Sequence, residues 1–220
     1  MIPLRDVIPS RSTPYVTVTL IVLNAVVWLA EVGMPREVLA DVLRLYGVVP
    51  ADFHVPTLVT SMFLDGSWSH VIGNMWYLWI FGDNVEDNVG HGRFIVFYLL
   101  CGAVAALGQI MMDPTSTLPT IGASGGIAGV MGAYFVLYPR SRVLTLIPLI
   151  IFWEIIELPA IFLLGFWFVM QLFSAGAIAV TANTQGGGVA FAAHVAGFIA
   201  GMVAVFGFRK RRSSVWGHPD

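Results

Sequence analysis

Ile121-Gly122-Ala123-Ser124-Gly125-Gly126-Ile127-Ala128-Gly129-Val130-Met131-Gly132-Ala133-Tyr134-Phe135-Val136-Leu137-Tyr138 is the stretch whose reading decides the fold. It carries no charged residue and is closed by Pro139 and Arg140. An uncharged apolar run of this length reads as a membrane-spanning helix. Gly125, Gly129 and Gly132, together with Ala133, share one helix face. In lipid such a small-residue face lets a second helix approach closely. Ser124 stands at the start of the run, directly after a polar linker. A Ser there is either a helix cap or, with a base in reach, a nucleophile. The glycines around it leave backbone N–H groups uncovered.

The rest of the chain agrees with a polytopic membrane protein. Of its 220 residues 57% are hydrophobic and 11% charged, against about 25% charged in a soluble domain. The mean hydropathy is +0.82. These values exclude a disordered chain, a disulfide scaffold and an ordinary soluble fold. The single Cys101 forms no internal disulfide, and a net charge of -2 gives no bulk basic balance for nucleic acid. Outward from residues 121–138, five more spans are expected: 16–32, 68–85, 94–112, 158 to about 175, and 189–208. The first lacks a cleavage-like end and follows a polar lead with Arg5 and Arg11, so it reads as a retained span rather than a signal peptide. Residues 34–69, with Pro35, Pro50 and Pro56, form a connection long enough to pack or lie on the membrane surface, with the 58–64 run at the interface. Residues 143–157, interrupted by Pro148, Glu154 and Glu157, are read as an interfacial or partly re-entrant segment, with both Glu facing the cytoplasmic interface.

The positive charges orient this all-α, six-span bundle. One side receives Arg5, Arg11, Arg93, Arg140, Arg142, Arg209, Lys210, Arg211 and Arg212, and the other only Arg36 and Arg44. That bias puts both termini in the cytoplasm. A seventh span would move the basic 209–212 cluster outside. The expected organisation is a short cytoplasmic N-terminus (1–14), a six-span domain (15–208) with the external loop 34–69, and a basic tail (209–220) that faces anionic membrane lipid.

Polar side chains at membrane depth are functional candidates because they are costly there. His70 and Asn74, at i and i+4, share a face in the first turns of the second span. They read either as a helix–helix polar contact or as donors to a developing negative charge. His194, Gly197 and Gly201 share a face of the sixth span, and Gly197-xxx-Gly201 is a close-packing pattern. His194 is therefore expected to face the small-residue fourth span, where a neutral imidazole can take up the Ser124 proton and return it. The second, fourth and sixth spans all enter from outside, so these side chains agree in depth. Independent packing devices have no reason to do so.

These residues resemble the motifs of the rhomboid family of intramembrane serine proteases. The matching pieces are His70-xxx-Asn74, Gly122-Ala123-Ser124-Gly125 and Ala193-His194-xx-Gly197, in the same order and spans, and the likeness extends from Thr13 to Phe208. The run Trp79-Ile80-Phe81-Gly82-Asp83-Asn84-Val85-Glu86 also resembles a stretch common in bacterial and archaeal members. The resemblance implies a catalytic dyad of Ser124 and His194 with no third carboxylate. It implies an oxyanion held by the Ser124 N–H, Asn74 and His70, and Gly122 keeping the approach to the site open. Transmembrane protein substrates would be cleaved near the outer face of the cell membrane, with no cofactor and no metal. The fifth span would match a lateral gate and the 181–189 loop a cap. One departure is Ala128, where an aromatic ring packs on the His in well-studied members, so another group is expected to orient His194. The rival readings are a channel or transporter lined by His70, Asn74 and His194, and a non-catalytic binder of transmembrane clients. The sequence leaves the substrate and the oligomeric state open.

Overall fold

The structure, a computed structural model, describes residues 1–149, 152–181 and 190–210. In chain order its helices are α1 (Tyr15–Val32), α2 (Arg36–Tyr46), α3 (Thr57–Thr60), α4 (Trp68–Val89), α5 (His91–Met112), α6 (Ser124–Leu137), α7 (Ala160–Thr181) and α8 (Phe191–Phe208). Its strands are β1 (Ile2–Asp6), β2 (Arg142–Leu149) and β3 (Phe152–Pro159). Among the described residues, α1, α5, α8 and the Ala160–Ala177 part of α7 are long and apolar enough to cross a membrane. The apolar helix α6 is shorter, and α4 is long but ends in Asp83, Glu86 and Asp87. This is a multi-pass, mainly helical membrane protein.

The crossings alternate. At one end the N-terminal segment meets the α4–α5 turn through the Arg11 N–H, which donates to Asp87 Oδ2 at 2.5 Å. The end of α8 joins the same turn through the Lys210 N–H to Asn88 O at 3.0 Å. At the other end, the segment after α2 pairs with the segment before α6 through Val48 and Thr120, each N–H donating to the other's carbonyl at 3.0 and 2.8 Å. The starts of α4, α6 and α8 therefore share the end that carries residues 34–67.

α8 packs mainly on α6 and α5. A Cβ built on Gly201 would lie 1.8 Å from Gly129 O, and one on Gly197 would lie 2.2 Å from Gly125 O. No other residue fits at either contact without moving backbone. In lipid, where burying apolar surface gains little between helices, such backbone contact supplies the association through van der Waals packing. The two small-residue faces read from the sequence do meet each other.

Two segments depart from expectation. The segment expected to be interfacial or partly re-entrant is strand where it is described: β2 and β3 pair antiparallel from Arg142↔Pro159 to Leu149↔Phe152, extended by β1 on β2 with Ile2↔Leu146. The alternation that marks a strand is present, with Val143 and Thr145 fully buried and Leu144 and Leu146 half-buried. Apolar residues on both faces hid it. Glu154 and Glu157 are exposed in the sheet that β1 joins, and Glu157 pairs with Arg142 at 3.0 Å. The 58–64 run goes deeper than an interface. Met62 is 2% exposed, and its methyl fills the space that side chains at Gly102 and Gly126 would need. The other expected spans shift by a few residues, α4 by continuing to Val89 and α7 by starting after Pro159. The 181–189 loop, apart from Thr181 at the end of α7, falls outside the described residues.

Candidate active site

Ser124 is the first residue of α6. The cap position belongs to Ala123, with no side-chain cap bond, so helix capping does not account for the hydroxyl. The first bond of the helix runs from the Ile127 N–H to Ala123 O at 3.0 Å. The N–H groups of Ser124, Gly125 and Gly126 precede that ladder, and a helix start of this kind favours negative charge. Ser124 Oγ makes no hydrogen bond among the described residues, and the residue is half-buried.

Gly122 brings a second helix to this point. Its φ of 122° is a conformation that favours glycine, and its N–H donates to Ser61 O at 2.9 Å. A Cβ there would lie 2.6 Å from His70 Cε1, 3.0 Å from His70 Nε2 and 3.6 Å from Ser124 Oγ. The imidazole of α4 and the hydroxyl of α6 therefore flank one small space that only glycine leaves open.

His70 and Asn74 lie in the first two turns of α4, whose start is capped by Ser67 Oγ accepting from the His70 N–H at 3.2 Å. They are joined through Asp65 rather than through another helix. Asp65 Oδ1 is 3.0 Å from His70 Nδ1 and accepts from Asn74 Nδ2 at 3.2 Å. Asp65 is 2% exposed. Its own N–H donates to Glu31 Oε2 of α1 at 3.2 Å.

His194 lies in the first turn of α8, 9% exposed. It stands one turn before Gly197, which rests on the carbonyl of the residue after Ser124. Its Nδ1 is 2.8 Å from Gln171 Oε1 on α7, and the Trp167 and Phe191 rings flank it at 5.8 and 6.4 Å between centroids. A neighbouring helix thus supplies the orienting contacts that Ala128 lacks. Sequence reading missed two members of this constellation. Asp65 hid in a loop, outside the spans searched for acids. Gln171 is a lone polar side chain in an apolar run, and that isolation was the available signal.

The family model of the rhomboid domain matches residues 52–211. The chain belongs to the rhomboid family. Among curated proteins it is similar to Rhomboid-like protein 11, chloroplastic, of Arabidopsis thaliana, at 29% identity over 74% of this chain and 55% of that one. It is also similar to Rhomboid protease GluP of Bacillus subtilis, at 36% identity over 34% of this chain and 14% of that protein. A third relative is Presenilin-associated rhomboid-like protein A, mitochondrial, of Danio rerio, at 31% identity over 43% and 26%. This rhomboid spans less than two thirds of the length of each of these relatives. Family membership supports an intramembrane serine protease-type function at the level of the family, which also includes inactive-type, rhomboid-like proteins.

Proposed function

We propose that this rhomboid is an intramembrane serine endopeptidase that cleaves transmembrane protein substrates near the outer face, with Ser124 as nucleophile and His194 as base. The reading is supported by two features of the packed pair α6 and α8: a Ser124 hydroxyl at a helix start with no hydrogen bond among the described residues, and an imidazole, one turn before the Gly197 contact on Gly125, whose Nδ1 is held by Gln171. A Gln carbonyl oxygen only accepts, so Nδ1 carries the hydrogen of that contact and Nε2 keeps the lone pair a base needs.

In the proposed reaction, Nε2 takes the Ser124 proton as Oγ bonds to the substrate carbonyl carbon. The oxyanion faces the Ser124 N–H at the start of α6, with His70 and Asn74 as further donors; such preorganised donors usually give the largest single contribution. The C–N bond then breaks and the proton passes from His194 to the departing amine. Water, activated by the same base, hydrolyses the ester and frees Ser124. Water access is supported by His70, whose side chain remains 34% exposed. Unwinding a substrate helix in lipid exposes polar backbone, so substrates with Gly or Pro near the cleavage point are favoured.

The same reading places the site in the outer half of the cell membrane, both termini in the cytoplasm, residues 15–208 as the catalytic domain and 209–220 as a lipid-facing tail. The test is cleavage of a transmembrane substrate by purified protein in detergent. Ser124→Ala is expected to abolish product while the helical content and melting are kept, and turnover retained by that variant would defeat the assignment. Client capture with no product from the unaltered protein would instead favour a binding role.

A further inference from the structure

The acid beside His70 is unlike the other carboxylates of the molecule. Asp65 is almost fully buried, yet its Oδ2 has no hydrogen-bond partner among the described residues, and neither does Oε1 of the neighbouring Glu31. No Lys or Arg among the described residues forms an ion pair with either group. The basic group in contact with Asp65 is the His70 ring, at 3.0 Å.

The geometry points to Asp65 as a positioning residue for the oxyanion donors of the proposed site, holding Asn74 by a hydrogen bond and lying against the His70 ring through the same oxygen. This inference rests on the protease reading and deepens it. A carboxylate oxygen only accepts, so Asn74 Nδ2 donates to it at 3.2 Å. The same oxygen lies 3.0 Å from His70 Nδ1, which also receives the Gly66 N–H at 3.4 Å. These contacts turn the ring with Nε2 beside Gly122 and near Ser124. Asn74 is held by one of its two amide hydrogens, which leaves the other for the oxyanion.

The test is a mutant cycle between Asp65 and the two donors on full-length protein with a transmembrane substrate. Asp65→Ala removes the oxygen that holds both, and it is expected to lower kcat by about 10²-fold, as loss of one oxyanion donor does, with KM little changed. In a background carrying both His70→Ala and Asn74→Ala the same change is expected to cost almost nothing further, because its effect passes through them. Equal losses in both backgrounds, or a loss in KM alone, would overturn the inference. Should Asp65→Ala lower expression or melting, ¹⁵N NMR of the unaltered protein with labelled histidine decides: a hydrogen on His70 Nε2 supports the proposal, and a bare Nε2 contradicts it. If the unaltered protein itself makes no product, the protease reading has failed instead, and the NMR result still stands on its own.

Discussion

The two ends of α4 each hold a buried carboxyl, and they are built differently. At the end shared with the N-terminal segment and the end of α8, Glu86 is fully buried and fully employed. It accepts from the Val16 N–H at 2.9 Å, the Thr17 N–H at 2.8 Å and the Thr17 hydroxyl at 2.7 Å. His91 Nδ1 lies 2.6 Å from it as well. A carboxylate at the start of α1 also meets the favourable end of that helix's dipole. Nearby, Ser10 bonds Asp83 and Ser12 bonds Asp87, while Asn84 Nδ2 donates to Asp6 Oδ2 at 3.0 Å. At the other end, Asp65 and Glu31 each keep an oxygen without a hydrogen-bond partner among the described residues, and the Ser124 hydroxyl likewise has none among them. A complete set of partners makes a clamp. Spare polar capacity under a half-exposed space is what a reacting group requires, and its cost in stability has to be offset by the packing of α5, α6 and α8.

The comparison can be broken in four places. Glu86→Ala strips the clamp and leaves two buried N–H groups without acceptors. It is expected to cost about 3–5 kcal/mol, read by melting in detergent, while the fraction that folds cleaves at the normal rate; a variant that melts normally but does not cleave would reverse the assignment of the two ends. Gly122→Ala forces a strained φ and pushes a methyl against His70. It is expected to cost about 1–3 kcal/mol and to lower kcat, so full activity would show that His70 does not need its observed place. Gln171→Ala removes the acceptor on His194 Nδ1. The expected loss is about tenfold in kcat, a share of the roughly 10²–10⁴ that acid–base catalysis contributes. Gln171→Glu should restore most of it, and equal failure of both would show that Gln171 acts through packing alone.

The smallest effect concerns Asp6 in β1. Burial pushes its carboxyl up to about 6, opposed by the hydrogen bond from the Tyr134 hydroxyl and reinforced by the nearby Asp83 carboxylate. The folded protein holds this proton more tightly than the unfolded chain. Its contribution is therefore fully present below about pH 4 and is lost as pH rises through about 6. Melting is expected to rise by a few degrees as pH falls from 7 toward 5, and Asp6→Asn should remove that part of the dependence. No change in the pH dependence on substitution would separate the sheet from the clamp.

Much of this was legible in the residues because the membrane restricts the options. Uncharged runs such as 121–138 had to be helices, and the small-residue faces at Gly125, Gly129, Gly197 and Gly201 had to find each other. The shared depth of His70, Asn74, Ser124 and His194 followed from alternation alone. The sheet was not legible: β1 and β2 are joined by pairing across more than a hundred residues, and local pattern carries no record of a distant edge. Asp65 and Gln171 were missed for a related reason. Each acts by contact with a histidine on another part of the chain, and neither has a spacing that announces it.

The most direct test of the central claim is covalent labelling of the folded protein by a fluorophosphonate probe, which reacts with a serine activated by a neighbouring base. The account predicts one labelled site, located at Ser124 by mass spectrometry, lost in both Ser124→Ala and His194→Ala while the melting of each variant is unchanged. Labelling that persists in His194→Ala, or that falls on another serine, would contradict it.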